Sequence, residues 1–170
     1  VEIASGGSYV IRFQDTGFWL AKYAARKGYH KPTGTIALNY CNNLRIFRYA
    51  ETLLAYAELV GVEGVAEQKG ISAQQCLDMV RDRAFGDTNH RVAVNKQNII
   101  NENHYEFVGE GHRYYDVVRW GITEVLNVDN VPGINSARTW KSHNKYVAIP
   151  QGDIDATKGT EFELKQNEGY

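Results

Sequence analysis

Apolar residues between Asn43 and Gly61 fall at Ile46, Tyr49, Ala50, Leu53, Ala57 and Val60. That is the i, i+3, i+4, i+7, i+11, i+14 spacing of one face of an α-helix. Asn42 or Asn43 can accept hydrogen bonds from the free amides at its start, and Gly61 can close it. The small Ala50 and Ala57 let a neighbouring helix approach closely. A second helix opens at Ser72 with Gln75 three residues on, a spacing at which each side chain satisfies the other's orphan amide. Its apolar stripe is Ala73, Cys76, Leu77, Val80 and Ala84, and Arg81, Asp82 and Arg83 crowd its end before Gly86. Joined through the Gly61–Gly70 connection, the two form a helical hairpin of the kind that stacks in tetratricopeptide-like proteins.

A third helical stretch runs from about Lys96 to Trp120, with an interruption expected at Gly109-Glu110-Gly111. In its second half Glu110, Arg113, Asp116 and Arg119 lie three apart, so each can pair with the next. Steps of three spiral backwards round a 3.6-residue helix, and Tyr114, Tyr115, Val117, Val118 and Trp120 fill the gaps. This pattern predicts a helix that is apolar all round and buried, with its ions paired. Stranding one member of such a buried pair costs about 3–5 kcal/mol.

Around these helices the period is lost. Tyr9–Phe13 reads as a short strand between Gly6-Gly7 and Asp15-Thr16-Gly17, and Trp19–Tyr23 as a second. Lys27–Gly34 is loop. The stretch from Asn127 to Asn144 is polar and carries Pro132-Gly133 and Trp140; Tyr146–Pro150 is extended, Ile154 follows, and a polar tail reaches Tyr170. No internal repeat of 20–50 residues is visible.

Composition narrows the function classes. The 170 residues carry 19 basic and 20 acidic side chains, a formal charge of -1. This near-balance removes the broad attraction on which nucleic-acid binding depends. No apolar run approaches the roughly 20 residues of a membrane-spanning helix. The first residue is Val1 and no secretion signal follows it, so either the start was removed or this is the later portion of a longer protein. Cys41 and Cys76 allow one bridge at most; the simpler reading is two buried thiols.

Catalytic and metal chemistry find little purchase. His104 and His112 stand eight apart with Glu106 and Glu110 between them, without the spacing of a zinc site. Glu110 and Asp116 each have an arginine three residues away, which lowers a carboxylate pKa and opposes the proton donor that glycoside hydrolysis needs. Neither a nucleophile elbow nor a P-loop nor a dinucleotide fingerprint is present. The expectation is a protein that is not an enzyme and uses no cofactor or metal.

Several segments together resemble the C-terminal part of the SusD/RagB family. Arg48–Glu58 is similar to the family helix RYAEVLLxYAEA, and Cys76–Ala84 to its N-x-V-R-x-R-A helix through Val80, Arg81, Arg83 and Ala84. Glu106–Gly121 is close to E-x-x-x-E-G-x-R-x-x-D-L-x-R-W-G. Ala148–Gln151 with Asp153–Asp155 resembles PIPQxEID, and Gln166–Tyr170 resembles QNPGY with Glu168 in place of proline. Asn103 stands where arginine is common, removing one ion pair from the expected set.

The resemblance implies a mainly α fold, a tetratricopeptide-like helical scaffold with long loops and a few short strands. Residues 1–42 would be a loop and short-strand lead-in, 43–121 the helical part and 122–170 a loop-rich C-terminal segment. It implies a non-catalytic, nutrient-binding surface lipoprotein of the outer membrane in Bacteroidetes-type bacteria, anchored by an N-terminal lipid outside this chain. Its implied partners are an oligosaccharide or polysaccharide, a SusC-like TonB-dependent transporter on which it acts as binding lid, and the N-terminal part of the same protein; nucleic acid is not among them. The alternatives are a structural segment that docks on the transporter, or a peptide-binding member of the family. A sugar site needs flat aromatic faces and planar hydrogen-bonding groups, which makes Trp140 with His143, and Trp19 with Tyr29 beside His30, the candidate ligand residues. The competing reading is that Trp140 and Trp19 pack onto the helices, since tryptophan is highly buried on average. Glu106, Glu110, Arg113, Asp116 and Arg119 are the expected structural ion-pair network.

Overall fold

The computed structural model describes residues 20–24, 29, 41–130 and 137–170. The candidate Trp19, the candidate strand at Tyr9–Phe13 and most of the 27–34 loop lie outside the described residues. Among the described residues five α-helices dominate: α1 (Tyr49–Gly61), α2 (Ala73–Phe85), α3 (Lys96–Glu106), α4 (Arg113–Trp120) and α5 (Gln151–Thr157). The fold is mainly α, consistent with a tetratricopeptide-like scaffold. The described residues divide into two compact units, one reaching to Tyr114 and the other running from Tyr115 to Tyr170.

In the first unit α1 packs on α2 and, less extensively, on α3. Their shared core is Ala50, Leu53, Leu54 and Ala57 from α1, Ala73, Cys76, Leu77 and Val80 from α2, and Ile99 and Phe107 from α3 and its exit. The 3.6-residue reading of α1 and α2 therefore holds for the central positions and fails at the ends. Ile46 precedes α1, which begins only at Tyr49; Arg48 occupies the cap position in extended conformation without a side-chain cap. The expected Asn42 or Asn43 cap is not formed. Asn42 instead donates to the carbonyls of Tyr23 and Ala24, which uses its amide away from any helix. Ala84 is also exposed, on the last turn of α2.

The α2 start forms as expected: Ser72 Oγ accepts from Gln75 N, and Gln75 Oε1 accepts from Ser72 N. Gly86 closes the helix in the left-handed conformation at φ 77°, with its N–H on Asp82 O. Side chains hold the connections onto the helices. Tyr56 Oη accepts from Gln68 N at 2.7 Å and donates to Ile71 O at 2.8 Å, fastening the α1–α2 loop. Gln74 donates to Val92 O and accepts from Val94 N, as a strand backbone would, and so fastens the α2–α3 loop.

The interruption of the third stretch is the turn from Phe107 to His112. Gly109 there has φ 78°, and the Leu20 side chain occupies the space a Cβ would need, so two constraints favour glycine. The strand expected at Trp19–Tyr23 is not formed where it is described. Ala21–Tyr23 is a single 3₁₀ turn, closed by Ala24 N on Ala21 O. The carbonyls of Lys22, Tyr23 and Ala24 accept from the side chains of Arg45 and Asn42, and no neighbouring strand pairs with the segment among the described residues.

In the second unit, 3₁₀ turns at Thr123–Leu126 and Ser142–Lys145 and an isolated antiparallel bridge between Val128 and Arg138 precede α5. Residues 146–149 are extended, and the C-terminal tail supplies their partners. Gln166 accepts from Ile149 N and donates to Ile149 O, both at 2.9 Å. Asn167 donates to Val147 O at 2.7 Å and Tyr170 Oη to Tyr146 O at 2.7 Å. α5 carries no clear apolar period; Pro150 at its cap and Asp153 in its first turn were the available start signals.

Candidate functional site

The last carbonyl of α3, the carboxylate of that same residue, Glu106, and the carboxylate of Glu110 in the turn beyond make an anionic corner, because a helix C-terminus carries unpaired carbonyls and partial negative charge. Three cations converge on it. Arg48 reaches Glu110 with Nε and Nη2, both at 2.7 Å, Glu106 Oε1 with Nη1 at 2.6 Å, and Glu106 O with Nη2 at 3.1 Å. Lys22 Nζ donates to Glu110 Oε1 at 2.5 Å and to Glu106 O at 2.7 Å. Arg83, from α2, holds the other oxygen of Glu106 at 2.6 Å. The Arg48 guanidinium also lies over the Phe107 ring, 5.0 Å from its centroid, and His112 stacks on Phe107 at 4.6 Å.

The Glu110 side chain is only 2% exposed. Burial alone would raise its pKa; the hydrogen bonds and charges of Arg48 and Lys22 outweigh burial and hold it at about 2. A second buried link, Arg81 with Glu102, joins α2 to α3, while Arg81 Nε donates to His90 O.

Of the five residues expected to form the ion network, the structure places Glu106 and Glu110 in this corner. Their partners come from distant elements, because Glu110 lies in the turn before α4 and is out of helical register with Arg113. Arg113 Nη1 is buried without a hydrogen-bond partner. Burial and the nearby Arg113 charge push His104 below the ordinary imidazole range. Asp116 and Arg119 do pair, at 3.3 Å, within α4. That helix is not apolar and buried all round: Val117 is its buried residue, whereas Tyr114, Tyr115 and Arg119 are exposed. Eight residues with charges at three-residue steps still leave one side of the helix to solvent.

One of these cations, Lys22, also borders a cavity of about 310 Å³ lined by Lys22, Ala24, Tyr29, Cys41, Asn42, Asn43 and Arg45. Its walls are cross-linked. Asn42 Nδ2 donates to Tyr23 O and Ala24 O, both at 3.2 Å; Cys41 N donates to Tyr29 O at 3.3 Å; Arg45 Nη1 donates to Lys22 O at 3.4 Å. Arg45 also lies over the Tyr23 ring at 5.6 Å. Tyr29 is 63% exposed. Cys41 is exposed and free, which corrects the reading of two buried thiols; Cys76 is buried, and burial pushes its thiol up. Sequence reasoning selected Tyr29 but missed Arg45, Asn42 and Asn43. Their signal was weak: an Asn-Asn pair followed by an isolated arginine.

Trp140 and His143 belong to the second unit. Asn127 Oδ1 accepts from Trp140 N at 2.6 Å. His143, in the turn Ser142–Lys145, packs on Gly169 and stands edge-on to Tyr170 at 4.9 Å. The tail thus holds the Trp140 loop in place, and both candidates are half-buried. No group of three His, Cys, Asp or Glu side chains able to hold a metal forms among the described residues.

A sequence model of the SusD family matches residues 7–170. The chain is 55% identical to a solved structure of surface glycan-binding protein A from Bacteroides fluxus, with TM-score 0.82, covering 97% of this chain and 35% of that one. It is 44% identical to surface glycan-binding protein A from Bacteroides thetaiotaomicron in complex with laminarihexaose, with TM-score 0.76, covering 94% of this chain and 32% of that one. A SusD-like protein, P25, from Formosa agariphila is 33% identical over 91 residues, 49% of this chain and 16% of that protein. The chain therefore spans about a third of the length of its solved relatives.

Proposed function

Because the chain belongs to the SusD family, we propose that it is the glycan-holding scaffold of a non-catalytic nutrient receptor at the bacterial outer surface. The observation that carries this reading is the 55% identity, over 97% of the chain, to a surface glycan-binding protein. The related complex with laminarihexaose supports an oligosaccharide ligand. In this reading the receptor is lipid-anchored at the outer membrane and closes as a lid on a SusC-like TonB-dependent transporter. Tyr29 offers an aromatic platform in the lead-in, and Trp140 and His143 offer them in the C-terminal loop; Trp19 is a further candidate by residue type. Rigid helices and cross-linked loops present these groups with little ordering entropy left to lose on binding.

Isothermal titration of the full-length protein against a panel of neutral and charged oligosaccharides tests the proposal, with Trp140→Ala and Tyr29→Ala as probes. Binding of at least one glycan is expected, weakened about tenfold or more by one of the substitutions. Unchanged affinities in both would remove this segment from the ligand site.

A second reading, docking scaffold, is favoured by one specific observation. Leu44, Ile46, Phe47 and Tyr49 are 80%, 85%, 65% and 67% exposed in a stretch of six residues. Such an apolar strip suits packing against another protein surface. The occupants this reading names are the N-terminal part of the same protein or the transporter. Pull-down of the partner by the wild type but not by Ile46→Asp/Phe47→Asp, with glycan affinity retained, would select it.

A further inference from the structure

Resting on the glycan-binding reading, we propose that the Tyr29 cavity is a subsite for a sugar bearing an anionic group, a carboxylate or a sulfate ester. Its volume of about 310 Å³ lies at the small end of ligand sites, which run from about 300 to 1,000 Å³, and suits a short saccharide unit.

Charge decides the class. Among the described residues, two cations, Lys22 and Arg45, line the cavity and no Asp or Glu does. Lys22 is already spent on Glu110 and on the α3 terminal carbonyl. Arg45 makes no ion pair among the described residues. Only its Nη1 is engaged, by Lys22 O at 3.4 Å, and the Tyr23 ring supports the guanidinium at 5.6 Å. Among the described residues no hydrogen bond engages Nε or Nη2, and a planar guanidinium fork matches a carboxylate or sulfate with two parallel hydrogen bonds. Tyr29 supplies the flat face for a pyranose ring, and the Asn43 amide can bond its hydroxyls. A neutral sugar would use the ring face and the amide but would leave the guanidinium without a counter-charge. Because the walls are fastened at Asn42, Cys41 and Arg45, the site is formed before ligand arrives.

The test is titration of the full-length protein with three probes on one backbone: laminarihexaose, its C6-oxidised counterpart carrying carboxylates, and its 6-O-sulfated counterpart. At least one anionic probe is expected to bind about tenfold tighter than the neutral one, since charge-assisted hydrogen bonds are roughly twice as strong as neutral ones. The advantage should shrink in 0.5 M salt and disappear in Arg45→Gln, while Arg45→Lys, which keeps charge but not the fork, should retain only part of it. Which anionic probe gains separates carboxylate from sulfate. Equal or tighter binding of laminarihexaose, or a preference that survives Arg45→Gln with the variant's unfolding midpoint unchanged, overturns the anionic subsite and leaves the glycan reading standing. Absence of binding by every glycan in the wider panel overturns both.

Discussion

Glu110→Gln removes one charge from the centre of the corner at the end of α3 and nearly nothing from its volume. Wild-type Glu110 titrates at about 2 in the folded protein, against an ordinary value of 4.5. A depressed carboxylate contributes stability that is fully present above its unfolded pKa and is lost as pH falls through its folded one. The difference, at about 1.4 kcal/mol per unit, amounts to roughly 3 kcal/mol at pH 7 and about 1.4 kcal/mol at pH 3. The same order follows from stranding Arg48 and Lys22, whose side chains are 20% and 25% exposed. Urea unfolding of wild type and Glu110→Gln across pH 7 to 3 should therefore show a gap that narrows by about half. A gap below about 0.5 kcal/mol at pH 7, or one independent of pH, would refute the view that Glu110 is held ionised by those two cations.

Hydrogen exchange on the same variant should show faster exchange around Leu20–Ala24, which Lys22 fastens to the corner, and unchanged protection in α2; uniform loosening would mean the corner supports the whole unit. Leu77→Ala, at a fully buried position of α2, should cost about 2–5 kcal/mol in denaturant unfolding. Ser72→Ala breaks the reciprocal cap of α2 and should cost about 1 kcal/mol by the same measurement, most of it restored by Ser72→Asp. A thiol reagent should modify Cys41 in the native protein and reach Cys76 only in denaturant, as mass spectrometry of the labelled chain will show.

The helices were legible because their signals are local. The Ser72/Gln75 cap, the apolar stripe from Ala73 to Val80 and the glycine break before α4 each lie within a few residues of what they determine. The misreadings arose where a local signal met a distant partner. Asn42 resembles a helix cap, yet its amide is engaged by carbonyls 18 and 19 residues earlier in the chain. Ile46 fits the α1 period, but the helix begins only at Tyr49, after an extended Arg48 whose guanidinium is drawn to carboxylates 58 and 62 residues away. Glu110 and Arg113 are spaced for a helical pair, but the helix starts after Glu110, and a carboxylate in a turn pairs with whatever cation the fold brings to it.

That is also why the cavity could not be read from spacing. Its residues sit in two segments with no period of their own, and they are positioned by a carbonyl at the end of a helix that neither segment contains. Lys22 takes part in both arrangements: its ammonium is fixed on Glu110 and Glu106 O, and its side chain lines the cavity. Arg45 stands three residues before Arg48, with a bend at Ile46 between them. Anchoring Arg48 at the corner restricts where Arg45 can point, and with Lys22 held by the corner, Arg45 is the described cavity residue left without a counter-charge. The strongly paired arginine thus sets the register, and the arginine left over sets the chemistry. Arg48 opens the run Arg48–Glu58, whose helical pattern is legible in the sequence; only the folded chain distinguishes Arg45.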